Sequence, residues 1–529
     1  MNSEPNLYWS QMGTRVRENR RKTVRDHILL GDHFFGHFPL AIPPGGLARH
    51  LQTFGGSGFG KTVVASQLTE QVMDAGEASI VVLDHKPSLF FLNSLLAKAS
   101  RLIDSDTESP VYDVRILNPQ AHGYSHVFNP LQQTAWKRMT SLQRTELLLD
   151  SFDIRIVEGS DTAFFAAISE LVTTAYLDWH RGIESFREIA RLMDDREVYK
   201  GMNGYANDWP HARHPLVFLK RLASCPAVTN VPNSADQCID VDEILTGKKP
   251  MLVYCFLPTL EDARISQSIS RFMFKLLLHS ASVLLAENSK RPVIVIADEA
   301  QHLYGPAFVQ ALEVAREFGI SFWAFNQSRS QLITAAGDFR DTLDSCIGAQ
   351  MMLTTRNLTD IEYIEQTSPE RMYHTLKWSQ FRQPGDSLDS SAFHPDWAVL
   401  DGLTGQQSID VSEQLRPFPE RNRLLAVSVH EQGGLVRLMR NEGLWAFNGA
   451  WVPFRWHRHV SKATYDQLSN EWPEPLPGMV PNTPPVSIGP ASVISATTAP
   501  GLLDSVSTST PPSELSAALS ALAHKLEKK

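Results

Sequence analysis

Cysteine is scarce in this sequence: its 529 residues hold four, Cys225, Cys238, Cys255 and Cys346. None belongs to a C-x-x-C pair and the spacing is irregular, which argues against a zinc ribbon or a disulfide framework and predicts buried, reduced thiols. Long apolar runs are missing too. The best stretch, Phe272 to Ala286, is interrupted by Lys275 and His279, so no membrane-spanning helix is expected. The polar start, Met1-Asn2-Ser3-Glu4, has no apolar core of signal-peptide type, and the expectation is a cytoplasmic protein. Positive charge is not in excess either. A net charge of −9 gives no global reason to bind nucleic acid, so any DNA contact has to come from a local basic surface such as a pore lining. What the chain does have is length and an ordinary apolar fraction, enough for a large core shared among about two or three domains.

The most specific motif is Phe54-Gly55-Gly56-Ser57-Gly58-Phe59-Gly60-Lys61-Thr62, which fits the phosphate-loop pattern G-x-x-x-x-G-K-[ST]. Glycines let the backbone turn its N–H groups inward around phosphate oxygens. Leu51-Gln52-Thr53-Phe54 reads as the strand before the loop, and Val63 to Leu68 as the helix after it, which is the context the motif requires. The cofactors predicted are ATP and Mg²⁺: Gly55 to Thr62 cradle the phosphates, Lys61 reaches the β- and γ-phosphates, and the Thr62 hydroxyl holds the metal.

Further strands follow. Ala78 to Leu83 is a continuous apolar run closed by Asp84, the pattern of a buried parallel strand, and Asp84-His85-Lys86-Pro87 sits at the edge where open α/β sheets bind ligands. Val293-Ile294-Val295-Ile296-Ala297 is a second such run, and Asp298-Glu299 emerges at its end. Asp298 is expected to hold Mg²⁺ through water, and Glu299 to orient and polarise the attacking water. A helix over 309–318 containing Arg316 leads to the strand Ile320 to Phe325, which ends in Asn326-Gln327-Ser328. Gln327 is placed to sense the γ-phosphate or position water. Between these landmarks, Phe164, Phe165, Ile168, Leu171, Val172, Ala175, Tyr176 and Trp179 recur at helical spacing, an aromatic stripe that reads as core packing.

The ends are less specific. Arg15, Arg17, Arg20, Arg21, Lys22 and Arg25 form a basic run, either a solvated helix face or a nucleic-acid or partner contact. His33 and His37, and His457 and His459, lack further ligands at usable spacing and read as packing rather than metal sites. Short β-like runs at 424–429, 435–439 and 445–447 suggest hairpins. From Trp472 the chain is rich in Pro, Ser and Thr and reads as a disordered linker. Leu515, Leu519, Leu522 and Leu526 then share one helical stripe, a docking helix on a tether or a frayed tail.

The phosphate loop, Asp84-x-Lys86, Asn129-Pro130-Leu131, Asp298-Glu299 and Gln327-Ser328-x-x-Gln331-Leu332 together resemble type IV secretion and conjugation coupling proteins of the TraD/TraG kind, within the FtsK/HerA ATPase superfamily. The resemblance covers about Gly45 to Glu365. It implies an α/β, RecA-like P-loop NTPase sheet with an all-helical insertion and a small C-terminal β-containing region. It also implies a hexameric ring, DNA translocation or transfer coupling, and an arginine finger at Arg316 acting on a neighbouring subunit. The absence of N-terminal membrane helices departs from the anchored members. The alternative is an ATP-gated recruitment module that binds a relaxase, nuclease or effector through the insertion or the tail. The expected organisation is a basic segment (1–44), a nucleotide-binding domain in two parts (45–134 and 249–366) around the insertion (135–248), a C-terminal region (367–471), a linker (472–512) and a tail helix (513–529).

Overall fold

A computed structural model describes residues 28–482 with internal breaks, the longest at 199–212, 381–406 and 418–441. The basic run at 15–25, His37, the β-like runs at 424–429 and 435–439, His457, His459 and the tail helix lie outside the described residues.

Apolar strands dictate the centre of the molecule. Strands β1 (Ile28–His33) and β2 (Pro39–Ile42) come first, then β3 (His50–Phe54), the glycine loop and helix α1 (Lys61–Ala75). Next are β4 (Ser79–Asp84), helix α2 (Leu89–Ala99) and β5 (Asp113–Leu117). After the helical block come β6 (Met251–Phe256), helix α3 (Thr259–Val283), β7 (Val293–Asp298), helix α4 (Pro306–Ala315), β8 (Ile320–Asn326) and β9 (Ile347–Leu353). Strands β10 (Glu442–Phe447) and β11 (Ala450–Arg455) and helix α5 (Lys462–Asn470) complete the series.

The sheet order is β2-β1-β11-β10-β9-β3-β8-β7-β4-β6-β5. From β9 to β5 every neighbouring pair is parallel; from β9 outward to β2 every pair is antiparallel. Parallel strands are buried on both faces, which is why they read as continuous apolar runs. Alternate residues nevertheless serve different partners. Val81, Leu83, Val253, Cys255, Val295 and Phe322 join one core with the helical block and α3. Ile80, Val82, Leu252, Tyr254, Ile296 and Trp323 join a second core with α1 and α2. Each fully buried side chain of this kind contributes about 1.5–3 kcal/mol. This is a mixed α/β, RecA-like P-loop NTPase-type fold with a helical insertion and small β-rich regions.

The helical block between β5 and β6 includes Ser141–Ser151, Ala163–Trp179, Phe186–Asp194 and Arg213–Ala223. Two polar side chains close its base. The Asn129 amide donates to the carbonyls of Glu184 (2.9 Å) and Asn230 (3.1 Å). Gln133 donates to the Ile239 carbonyl and accepts from the Val241 N–H, both at 2.9 Å. Asn129, met in the sequence only as part of a motif, is thus a clamp on the insertion's loops.

Three segments differ from the sequence reading. Residues 28–33 and 39–42, expected in a basic segment, are the last two strands at one end of the main sheet. Strands β10 and β11, expected in a separate C-terminal region, extend the same sheet through β9. Residues 472–482, expected in a disordered linker, are packed: Trp472 meets Phe256 edge-on at 4.7 Å, Val480–Pro481 pair with Tyr124–Ser125, and the Asn482 amide donates to the carbonyls of Asn118 (2.6 Å) and Gln120 (2.9 Å). Composition missed this because a few anchors, Trp472, Leu476 and Met479, carry the packing within a Pro-rich stretch. No helix among the described residues is long and apolar enough to cross a membrane.

A candidate nucleotide site at the carboxyl edge of the sheet

The parallel strands deliver their C-terminal ends to one edge, and the candidate residues cluster there. The glycine loop leaves β3 with Gly58 (φ 80°) and Gly60 (φ 94°) in the left-handed region, where a side chain would strain the backbone. Gly55 is required for space instead, since a Cβ would come within 2.8 Å of the Leu353 Cβ. The loop is tied to the sheet by the Gly55 N–H donating to the Asn326 carbonyl at 3.1 Å. Lys61 is 7% exposed and its ammonium donates to the Gly55 carbonyl at 2.8 Å. Burial lowers its pKa, while Glu299 and Asp298 pull the other way.

Opposite the loop stand three buried carboxylates. Asp84 and Asp298 are register partners at the ends of β4 and β7, and Glu299 follows directly. Asp84 accepts from the Ser88 N–H (2.9 Å), the Lys86 N–H (3.2 Å) and the Tyr254 hydroxyl. Burial pushes the Asp298 carboxyl well above its ordinary range, and the neighbouring charges of Asp84 and Glu299 push it further. Asp84 is raised by burial as well, against its hydrogen bonds.

Glu299 is different. Its backbone is left-handed (φ 56°), an uncommon state for a residue with a Cβ. Its two carboxylate oxygens are gripped separately: Gln301 Nε2 donates to Oε2 at 2.8 Å and Gln327 Nε2 to Oε1 at 2.9 Å. Burial alone would raise its pKa, but these bonds and the Lys61 charge bring it below the usual value. The grip has its own support. Asn326 Nδ2 donates to Gln301 Oε1 at 3.1 Å, the Tyr304 hydroxyl to Asn326 Oδ1 at 2.8 Å, and the Gln327 N–H to Gln331 Oε1 at 2.7 Å. Glu299 is therefore held ionised and aimed.

Lys61, Thr62, Asp298, Glu299 and Lys86 line one cavity of about 600 Å³, and Trp456, Lys462, Tyr465 and Asp466 form its opposite wall. Sequence reasoning placed Gln327 near this edge but missed Gln301, Tyr254 and the wall formed by Trp456 and residues 460–466. Nothing local marks them; Gln301 is identified only by the turn that follows Glu299.

Arg316 is not brought to this site. It caps the C-terminus of α4, exposed, at the start of β8, while Gln327 follows the end of that strand. A seven-residue strand spans about 20 Å, so Arg316 cannot serve the nucleotide edge of its own chain. Among the described residues it makes no ion pair with Glu313 or Glu317.

The acids suit a divalent cation, which would relieve the mutual repulsion of Asp84, Asp298 and Glu299. Among the described residues no group of three or more His, Cys, Asp or Glu side chains is arranged to hold a metal by itself. Mg²⁺ is usually held by one or two protein groups together with phosphates and water.

Fold and site together define a RecA-like P-loop NTPase-type fold. Residues 292–393 match the family described as "TraM recognition site of TraD and TraG". Among solved structures, the chain is similar to the bacterial conjugative coupling protein TrwBdeltaN70 with sulphate (15% identity, 82% of this chain and 90% of that chain covered, TM-score 0.53). It is similar also to plasmid coupling protein TrwB with ADP and Mg²⁺ (14%, 81% and 89%, 0.52) and with a non-hydrolysable ATP analogue (14%, 81% and 90%, 0.51). No curated protein matches the sequence.

Proposed function

We propose that the protein is a Mg²⁺-dependent ATPase that assembles into a hexameric ring and moves or delivers DNA as a conjugation-type coupling motor in the cytoplasm. The observation that carries the hydrolytic part is the grip of Gln301 and Gln327 on Glu299 beside the phosphate loop. A carboxylate kept ionised and oriented is what activation of water requires. Lys61 and the loop N–H groups bind the β- and γ-phosphates, Thr62 and Asp298 hold Mg²⁺, and Gln327 links the γ-phosphate position to Glu299. Bound Mg²⁺ supplies charge neutralisation on the phosphates.

The DNA and ring assignments rest on the likeness to coupling proteins and on Arg316. Its guanidinium lies at the edge of the sheet away from its own site, free of ion pairing with its acidic neighbours, as a finger reaching a neighbouring subunit requires. Mixing Arg316→Ala with Lys61→Ala should restore partial turnover although each is inactive alone; normal turnover by Arg316→Ala in an assembled ring rejects the finger. The central experiment measures ATP hydrolysis with no DNA, single-stranded DNA and duplex DNA across a salt series. Stimulation that fades steeply with salt supports the motor, and identical rates in all three sink it. A recruitment reading draws on the 292–393 match, a region described as a recognition site; stimulation by a protein partner without DNA would favour it.

A further inference from the structure

The wall opposite the phosphate loop comes from a part of the chain that the nucleotide reading does not use. Helix α5 starts at Ser461, whose hydroxyl caps it by accepting from the Thr464 N–H at 3.1 Å. It is locked onto α2 at the other end: Asn93 Nδ2 donates to the carbonyls of Leu468 and Glu471, both at 2.8 Å. Between these anchors the Tyr465 ring packs on Phe90 with centroids 4.5 Å apart. Tyr465 remains 40% exposed, and Lys462 and Asp466 beside it are exposed as well. All three line the same cavity as Lys61 and Glu299. At about 600 Å³ the cavity falls within the roughly 300–1,000 Å³ of pockets that take whole small molecules, more room than a chain of phosphates fills.

We propose that α5 is the nucleoside-binding wall of this site, with the Tyr465 ring covering the base and the Asp466 carboxylate receiving ribose hydroxyls. The assignment deepens the nucleotide reading above and rests on it. An aromatic ring with one face packed on Phe90 is immobilised before any ligand arrives, so stacking a base on its remaining surface costs little ordering. An exposed carboxylate accepts hydrogen bonds from a vicinal diol and would repel phosphate, so Asp466 belongs at the sugar end of the cavity and the loop at the phosphate end. Lys462 lies one turn before Asp466 on the same helix face. The segment after α5 is packed against the core through Trp472, so the wall is a fixed part of each chain.

The test uses the full chain with Mg²⁺ and compares binding of ATP with binding of inorganic tripolyphosphate, which has phosphates but no nucleoside. Tyr465→Ala is expected to weaken ATP about tenfold, the scale of one base stacked on an aromatic ring, and to leave tripolyphosphate unchanged. Asp466→Ala, an exposed position whose replacement does not disturb packing, should weaken ATP several-fold with the same selectivity. If the ratio of the two affinities is unchanged in both variants, the wall assignment is overturned, whether the affinities hold or fall together. If the unaltered protein binds neither ligand, the nucleotide reading itself fails, an outcome separate from loss of selectivity in the variants.

Discussion

Two clusters of buried charge lie in the same sheet layer, and they are built in opposite ways. Around Arg329 everything is paired: its guanidinium makes two hydrogen bonds to Asp344 (2.9 and 2.7 Å), stacks over the Tyr363 ring at 3.4 Å, and leaves Asp344 a further donor in Gln350 at 3.0 Å. At the carboxyl edge, Asp84, Asp298 and Glu299 crowd together, and Lys61 and Lys86 offset them only in part. The first cluster is complete as it stands and ties the turn after β8 to the helix Arg340–Cys346, to β9 and to the helix Leu358–Thr367. The second carries surplus negative charge, and surplus buried charge persists where a ligand is to compensate it.

The comparison breaks most visibly through Glu299. Glu299→Gln keeps the side chain's size and its place between Gln301 and Gln327 but removes the base, so turnover should fall by about 10²–10⁴ while the melting temperature stays within a few degrees. Stopped-flow phosphate release and calorimetry on the same sample check both halves. Full turnover would reject the role of Glu299; a collapsed melting temperature would place Glu299 with the Arg329 kind of cluster.

Arg329→Ala should behave the other way. It leaves the half-buried Asp344 without its cation and removes the ring contact, for a loss of about 1–3 kcal/mol in stability, read from denaturant unfolding. The unfolding midpoint should drop before any effect on nucleotide affinity of the remaining folded protein is seen. A neutral Arg329→Ala would mean that the pair is not holding these segments together.

The smallest effect is the one that sharpens the contrast, because it is a gain. Asp298 has its folded pKa raised, so folding favours its protonated form. Its favourable contribution is present below the unfolded pKa and is lost as pH rises toward neutrality. Asp298→Asn removes that loss and retains an oxygen for the Glu299 N–H, now 3.1 Å from Asp298 Oδ1. Without nucleotide and Mg²⁺, the variant should be more stable than the unaltered protein by about 1–2 kcal/mol at neutral pH, with the advantage shrinking in acid. His50, lowered by burial to about 4, destabilises both proteins alike as pH falls. An advantage that is flat with pH would show that Asp298 is ionised without penalty.

Local pattern accounts for much of this molecule. The glycine spacing from Gly55 to Gly60, the lysine after it, and apolar runs ending in Asp84 and in Asp298-Glu299 are each contained in a few consecutive residues. Backbone freedom, helix start and double-sided burial are all set within such a window, so the phosphate loop and the parallel strands could be read directly from the sequence. The tertiary structure alone decided what meets across hundreds of positions. Strands β1 and β2 pair with one another, and β1 with β11, from opposite ends of the chain; His126 reaches the Pro477 carbonyl at 3.1 Å; and α5 faces a loop four hundred residues earlier. Gln301 and Gln327 become a pair only because the turn after β7 and the end of β8 converge on one edge, with Glu299 in a left-handed conformation that no residue preference announces. Sequence fixed the chemistry each segment carries, since that resides in side chains and short-range sterics; the fold fixed which chemistries share a cavity, since that depends on strand order and packing between distant segments.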